Sequence, residues 1–98
     1  MSFPYKSARW KRRRAAVLAA AGYQCQYFRR FGKMREATVV HHIWPAEAYP
    51  EYAWCRWNMI ALSAEAHDLM HDRRSGRLST LGEALRRRTI PPYIGPPR

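Results

Sequence analysis

Val39-Val40-His41-His42-Ile43 is the stretch on which the reading of this chain turns. Its β-branched residues favour the pleated backbone, so the run reads as a strand that delivers two imidazoles near its end. Successive strand side chains point to opposite faces, which denies His41 and His42 a shared task. Downstream, Asn58 precedes Met59-Ile60-Ala61-Leu62, a short apolar run that reads as a second strand. Ser63-Ala64-Glu65 then opens a helical stretch, with Ser63 as N-cap and Glu65 at its positive end. That helix is expected to run to about residue 73 or 74 and to stop at Gly76. Within it His67 and His71 stand four residues apart, a spacing that puts both rings on one face and lets them grip one metal ion. All four histidines of the chain belong to this constellation.

Composition narrows the partners. At 98 residues the chain has room for one small domain and a modest core. Lysine and arginine number 18 against 7 acidic residues, a formal charge of +11, which makes a polyanion the default partner. Nucleic acid is favoured over a membrane because no apolar run approaches the roughly 20 residues a spanning helix needs. Lys11-Arg12-Arg13-Arg14 ahead of an apolar run imitates a secretory signal, but the run is brief and soon meets Gln24, Arg29 and Arg30, so a cytoplasmic protein is expected. Two cysteines, Cys25 and Cys55, make no disulfide framework.

Around the central constellation the chain reads as follows. Residues 1–6 form an extended arm. Ser7 caps a basic helix whose apolar face carries Trp10, Val17, Leu18 and Ala21 and which ends at Gly22. The cluster Lys11, Arg12, Arg13, Arg14 on its other side suits phosphate contact better than mere solvation at this net charge. A polar turn over residues 32–36 leads into the first strand, expected over residues 37–43. Residues 44–57 form a connecting loop with Tyr49, Tyr52, Trp54 and Trp57, aromatics expected chiefly to complete a small core. Thr80-Leu81-Gly82-Glu83 has the form of a capping box and should start a short last helix. Pro91, Pro92, Pro96 and Pro97 forbid its continuation, leaving a proline-rich tail over residues 89–98 anchored by Tyr93 and Ile94.

The order His41-His42, Asn58, His67, His71, with Cys25 upstream and Trp10 opening the first helix, resembles the HNH endonucleases of the ββα-metal (His-Me finger) group. The likeness spans residues 7–71, and the second helical histidine is similar to the colicin-nuclease variant. It implies an α+β fold, a small ββα-metal domain with an N-terminal basic helix and a short C-terminal helix, over residues 1–98 with a core at about 7–75. It also implies metal-dependent hydrolysis of DNA phosphodiesters by a one-metal mechanism. His42 becomes the general base, Asn58 the residue that ties the connecting loop, and His41, His67 and His71 the metal ligands. One divalent ion is implied, zinc, nickel, cobalt or manganese before magnesium, because an all-imidazole shell suits transition metals. Lys11, Arg12, Arg13, Arg14, Arg73 and Arg74 are the expected DNA contacts. A phage or mobile-element setting goes with the resemblance.

One departure is visible. Relatives often carry a zinc knuckle of two Cys-x-x-Cys halves. Here Phe28 replaces the second cysteine of the first half, and the other half falls at Ser63 and Ala66. Hydrophobic packing is expected to have replaced the metal there, with Cys25 as a small buried residue. That loss raises the alternative of a catalytically inactive nucleic-acid-binding module that retains the HNH fold. A structural zinc site of Cys25, Cys55, His67 and His71 is disfavoured by irregular spacing.

Overall fold

The computed structural model describes residues 2–92. Ser7 caps α1 (Ala8–Ala20) as expected, its hydroxyl accepting the Trp10 N–H at 3.1 Å. Trp10, Val17 and Leu18 form the buried face of the helix. Its exit needs two consecutive left-handed residues, Gly22 at φ 62° and Tyr23 at φ 57°, and the Tyr23 N–H reaches back to the Leu18 carbonyl at 2.9 Å. A one-turn helix α2 (Gln26–Arg29) follows.

Two strands make the sheet, β1 (Val39–His42) and β2 (Met59–Leu62), antiparallel with His41 opposite Ile60 and His42 opposite Met59. The first strand is shorter than expected: Thr38 still gives its N–H to the Leu62 carbonyl at 3.0 Å, but Ala37 before it is tied to the Tyr23 carbonyl at 2.8 Å. Register decides everything about the histidines, since a slip by one residue would exchange their faces. The connecting segment is tightened by single 3-10 turns at Pro50–Tyr52 and Arg56–Asn58.

The helix after β2 departs from expectation. Ser63 caps α3 (Ala64–Leu69) through the Ala66 N–H, but the helix stops before His71. Asp72 is the cause: its carboxylate takes the N–H groups of Arg74 and Ser75 at 2.9 Å, a local alternative that competes with the helical ladder. Gly76, at φ 73°, then turns a small hairpin in which His71 faces Leu78, instead of ending a helix. The last helix α4 (Thr80–Arg88) is capped one residue earlier than expected, by Ser79. Ser79 also donates to the Leu69 carbonyl at 2.6 Å. A side chain at Gly82 would collide with the Met70 carbonyl, so glycine lets α4 sit directly on the end of α3. Tyr93 and Ile94, expected to anchor the tail, lie outside the described residues.

Each face of the sheet has its own core. On the α1 side Trp10, Val17, Leu18, Val40, Met59 and Ala61 pack together. On the other, Cys25, Leu62, Ala66 and Met70 are buried with Phe28, Leu81 and Leu85 against them. The N-terminal arm is part of the first core. Phe3 is buried, with its ring 5.1 Å from Trp10, 4.9 Å from Trp54 and 4.9 Å from His42. Phe3→Ala should therefore cost about 3 kcal/mol in denaturant melts, as for a core phenylalanine; a loss near zero would mean that the arm does not belong to the core.

Candidate active site

Alternation along β1 separates the two neighbouring imidazoles. His41 faces α3, its ring centroid 5.3 Å from His67 and 5.2 Å from His71, and the last two are 4.8 Å apart. His71 stands in the hairpin rather than on the helix, yet the tight turn still brings it beside His67. One nitrogen from each of the three lies within 4.8 Å of the others. Burial, then the proximity of His67, His71 and His42, lowers the His41 pKa from 6.5 to about 3, which leaves its ring neutral. Its Nε2 is buried without a hydrogen-bond partner, and such an orphan is costly unless something else satisfies it. His71 Nδ1 is 3.2 Å from the Gly76 carbonyl; a carbonyl only accepts, so Nδ1 carries the proton and Nε2 the lone pair. A backbone carbonyl that orients a ligand imidazole in this way is common around bound metals. A neutral buried His41, its unsatisfied nitrogen and three convergent imidazoles fit a transition-metal ion. Neither cysteine joins the cluster among the described residues: Cys25 is buried beyond α3 and Cys55 turns its thiol to the Glu51 carbonyl.

His42 faces the other way. Trp10 stacks on its ring at 5.1 Å with an interplanar angle of 24°. Its Nε2 lies 2.9 Å from the Ala53 carbonyl, so Nε2 holds the proton and Nδ1 is left as the acceptor. Among the described residues the one hydrogen-bonding group against Nδ1 is the Tyr5 hydroxyl, at 3.4 Å. Burial lowers the His42 pKa, with the Ala53 hydrogen bond opposing it.

Asn58 is wholly buried and makes the connecting segment rigid. Its carboxamide accepts the Trp44 N–H at 2.6 Å and donates to the carbonyls of Trp44 at 2.9 Å and Tyr52 at 3.1 Å. Tyr52 is the residue before Ala53. The amide thus anchors the backbone next to the carbonyl that aims His42.

No protein-family model matches the chain, and no curated protein does. Among solved structures it is similar to the crystal structure of the HNH endonuclease of deep-sea thermophilic bacteriophage GVE2 with manganese ion. Identity is 33%, over 65% of this chain and 70% of that one, with a TM-score of 0.63. This chain belongs to the HNH endonuclease family.

In this HNH protein the two imidazole environments open on one cavity of about 500 Å³, lined by all four histidines with Tyr5, Arg14 and Glu47 among others. Arg14 was legible as one of a basic cluster. Tyr5 and Glu47 had no signal, because the sequence does not show that the arm folds back or where the loop after β1 runs. Burial and then Glu47 raise the Tyr5 pKa, so its phenol keeps its proton. Of the other expected DNA contacts, Lys11 and Arg12 are exposed on α1, and Arg73 and Arg74 are exposed in the Asp72 turn. Arg13 and Arg14 are partly engaged, donating to the carbonyls of Trp54 at 3.2 Å and Thr38 at 2.6 Å.

Three histidine pKa values lowered by folding dictate a pH dependence. His41, His42 and His67 bind protons more readily unfolded than folded. Their contribution to stability is fully present above the unfolded value of 6.5 and, for His41, is lost as pH falls toward about 3. Denaturant melts of metal-free protein should lose stability on acidification from about pH 7 to pH 5, at up to ~1.4 kcal/mol per pH unit for each histidine. Stability flat across that window would show that the imidazoles are not buried as described.

Proposed function

We propose that this protein is a metal-dependent DNA endonuclease that hydrolyses phosphodiester bonds by a one-metal mechanism. The observation that carries the reading is the division of labour in one cavity: three convergent imidazoles with the His41 Nε2 unsatisfied, beside a fourth whose Nδ1 is bared by the Ala53 carbonyl. His41, His67 and His71 would hold the divalent ion, zinc, nickel, cobalt or manganese in preference to magnesium given all-nitrogen ligands. The ion, when bound, supplies charge stabilisation to the phosphate and the departing oxygen.

The chain's own residues do the rest. His42, neutral because burial lowers its pKa, takes the proton of the attacking water at Nδ1. The Ala53 carbonyl stabilises the imidazolium that results, since its hydrogen bond to Nε2 strengthens as the ring gains charge. Asn58 serves this step indirectly by holding the segment that carries that carbonyl. Lys11, Arg12, Arg13, Arg14, Arg73 and Arg74 bind phosphates along the DNA, a contact that needs no metal.

Two finer points of family likeness belong to the same reading. His71 makes the ligand set that of the colicin-nuclease variant. The position of Cys25 is that of a degenerate zinc knuckle. Burial alone would raise the thiol's pKa, but hydrogen-bonding from the backbone of Phe28, Ser63 and Tyr27 and from the Ser63 side chain brings it down. Phe28 and Ala66 fill the remaining space. Residues 1–98 are read as one nuclease domain. A cytoplasmic protein of a phage or mobile element is the setting proposed, supported by the phage origin of the similar endonuclease and by the lack of a described helix long and apolar enough to cross a membrane.

The ligand assignment predicts that His41→Ala and His67→Ala each weaken binding of a divalent transition metal in calorimetry, since each removes a nitrogen from the shell. Unchanged affinity in both would remove the metal site. The base assignment predicts that His42→Ala binds metal and DNA like the wild type but nicks plasmid about a hundredfold more slowly or worse. Wild-type cleavage should rise with pH and level off below the usual imidazole range, because the His42 pKa is lowered, and the mutant should lack that rise. Equal cleavage by the two proteins would sink the mechanism, and an inert wild type across metals and DNA forms would favour a binding module.

A further inference from the structure

Nothing in the proposed mechanism uses the N-terminal arm, yet the arm places a hydroxyl at the base. The Tyr5 phenol is 3.4 Å from His42 Nδ1, the nitrogen left free by the Ala53 carbonyl. Its backbone is well held: the Tyr5 N–H donates to the Phe3 carbonyl at 2.9 Å, and Ser7 returns its N–H to Pro4 at 3.1 Å. Its ring lies 4.7 Å from Phe3 and 5.6 Å from Trp10. The residue as a whole is 48% exposed and lines the histidine cavity.

The distance carries the argument. A hydroxyl that saturates an imidazole nitrogen sits at about 2.8 Å, so at 3.4 Å the phenol stands beside the lone pair without consuming it. A single water at ordinary hydrogen-bond length from both atoms can donate to Nδ1 while accepting from the phenol. That pair of contacts orients the water's remaining lone pair away from the base, the requirement for attack on a phosphorus held in the same cavity.

We propose that Tyr5 is a positioning residue for the nucleophile, its hydroxyl fixing the attacking water between itself and His42 Nδ1. The inference rests on the assignment of His42 as base. It makes the arm a working part of the active site as well as a filler of the core, with Phe3 the anchor and Tyr5 the reaching group.

The test is a plasmid-nicking series of wild type, Tyr5→Phe, Tyr5→Ala, His42→Ala and the Tyr5→Phe/His42→Ala double variant, with kcat and KM measured separately. Tyr5→Phe keeps the ring and its packing, and should lower kcat about tenfold, the scale of one hydrogen bond realised at the reacting water, with KM little changed. In the His42→Ala background the same substitution should add no further loss, because both residues act on one water. In metal-free protein the ¹⁵N resonance of His42 Nδ1 should move on Tyr5→Phe. Tyr5→Phe equal to wild type with Tyr5→Ala impaired would assign Tyr5 to packing and overturn the proposal. Tyr5→Phe faster than wild type would also overturn it and make the phenol an obstruction. His42→Ala as active as wild type would instead remove the base assignment and this inference with it.

Discussion

The structure hangs on the carboxamide of Asn58. Between β1 and β2 the chain makes a long excursion whose backbone groups have no sheet to satisfy them, and a buried polar group left alone is expensive. One side chain resolves three of them, the Trp44 N–H and the carbonyls of Trp44 and Tyr52. The task demands an acceptor and two donors on one planar group, which an aspartate at the same place lacks. Because the residue after Tyr52 presents the carbonyl that holds His42 Nε2, the closure of the loop and the aim of the imidazole are one mechanical fact. Asn58 also returns its own carbonyl to the Ile43 N–H at 2.9 Å, tying the end of β1 to the start of β2.

The histidine trio puts the opposite demand on the domain. A core this small gains little from burying imidazoles, and His41 is buried with a nitrogen that nothing in the protein satisfies. The rings meet edge to face, and His41 and His67 resist protonation, through burial first and then because a charge on a neighbouring ring opposes their own. Such a cluster costs stability in isolation, and a cation that accepted all three lone pairs would resolve it. The Asp72 turn and the Gly76 carbonyl bring the third ring in without a helix to guide it, so metal held there would couple to the folding of that hairpin.

How much of this was legible follows from which interactions are local. The β-branched run, the apolar run after Asn58 and the Ser7 and Ser63 caps are properties of a few neighbouring residues, and those elements form where the pattern places them. The convergence of His41, His67 and His71 was legible because alternation and spacing survive even though the helix ends early. What failed was competition between local motifs. Asp72 outbids the helix for its own N–H groups, and Ser79 caps α4 ahead of Thr80, because a serine there also reaches the Leu69 carbonyl across a gap the sequence does not display. The arm was illegible for a different reason. Phe3 and Tyr5 acquire their partners only when Trp10, Trp54 and His42 have been brought together by the sheet and α1.

The same distinction bears on the basic helix. Composition establishes a large positive charge but not which cations are free to meet a phosphate. Arg13 and Arg14 are turned inward along the helix to the carbonyls of Trp54 and Thr38, whereas Lys11 and Arg12 face solvent. A carbonyl offers a guanidinium a partial charge; a phosphate offers a full one and a bidentate geometry. Arg14 is exposed enough for that exchange to cost little, and it lines the cavity that also holds His42. Its bond to Thr38, one residue before β1, sets the guanidinium at the lip of the histidine site. Sequence alone would rank the four basic residues of α1 as equivalent. Packing singles out Arg14, beside the histidine cavity, from Lys11 and Arg12, which stay exposed on α1.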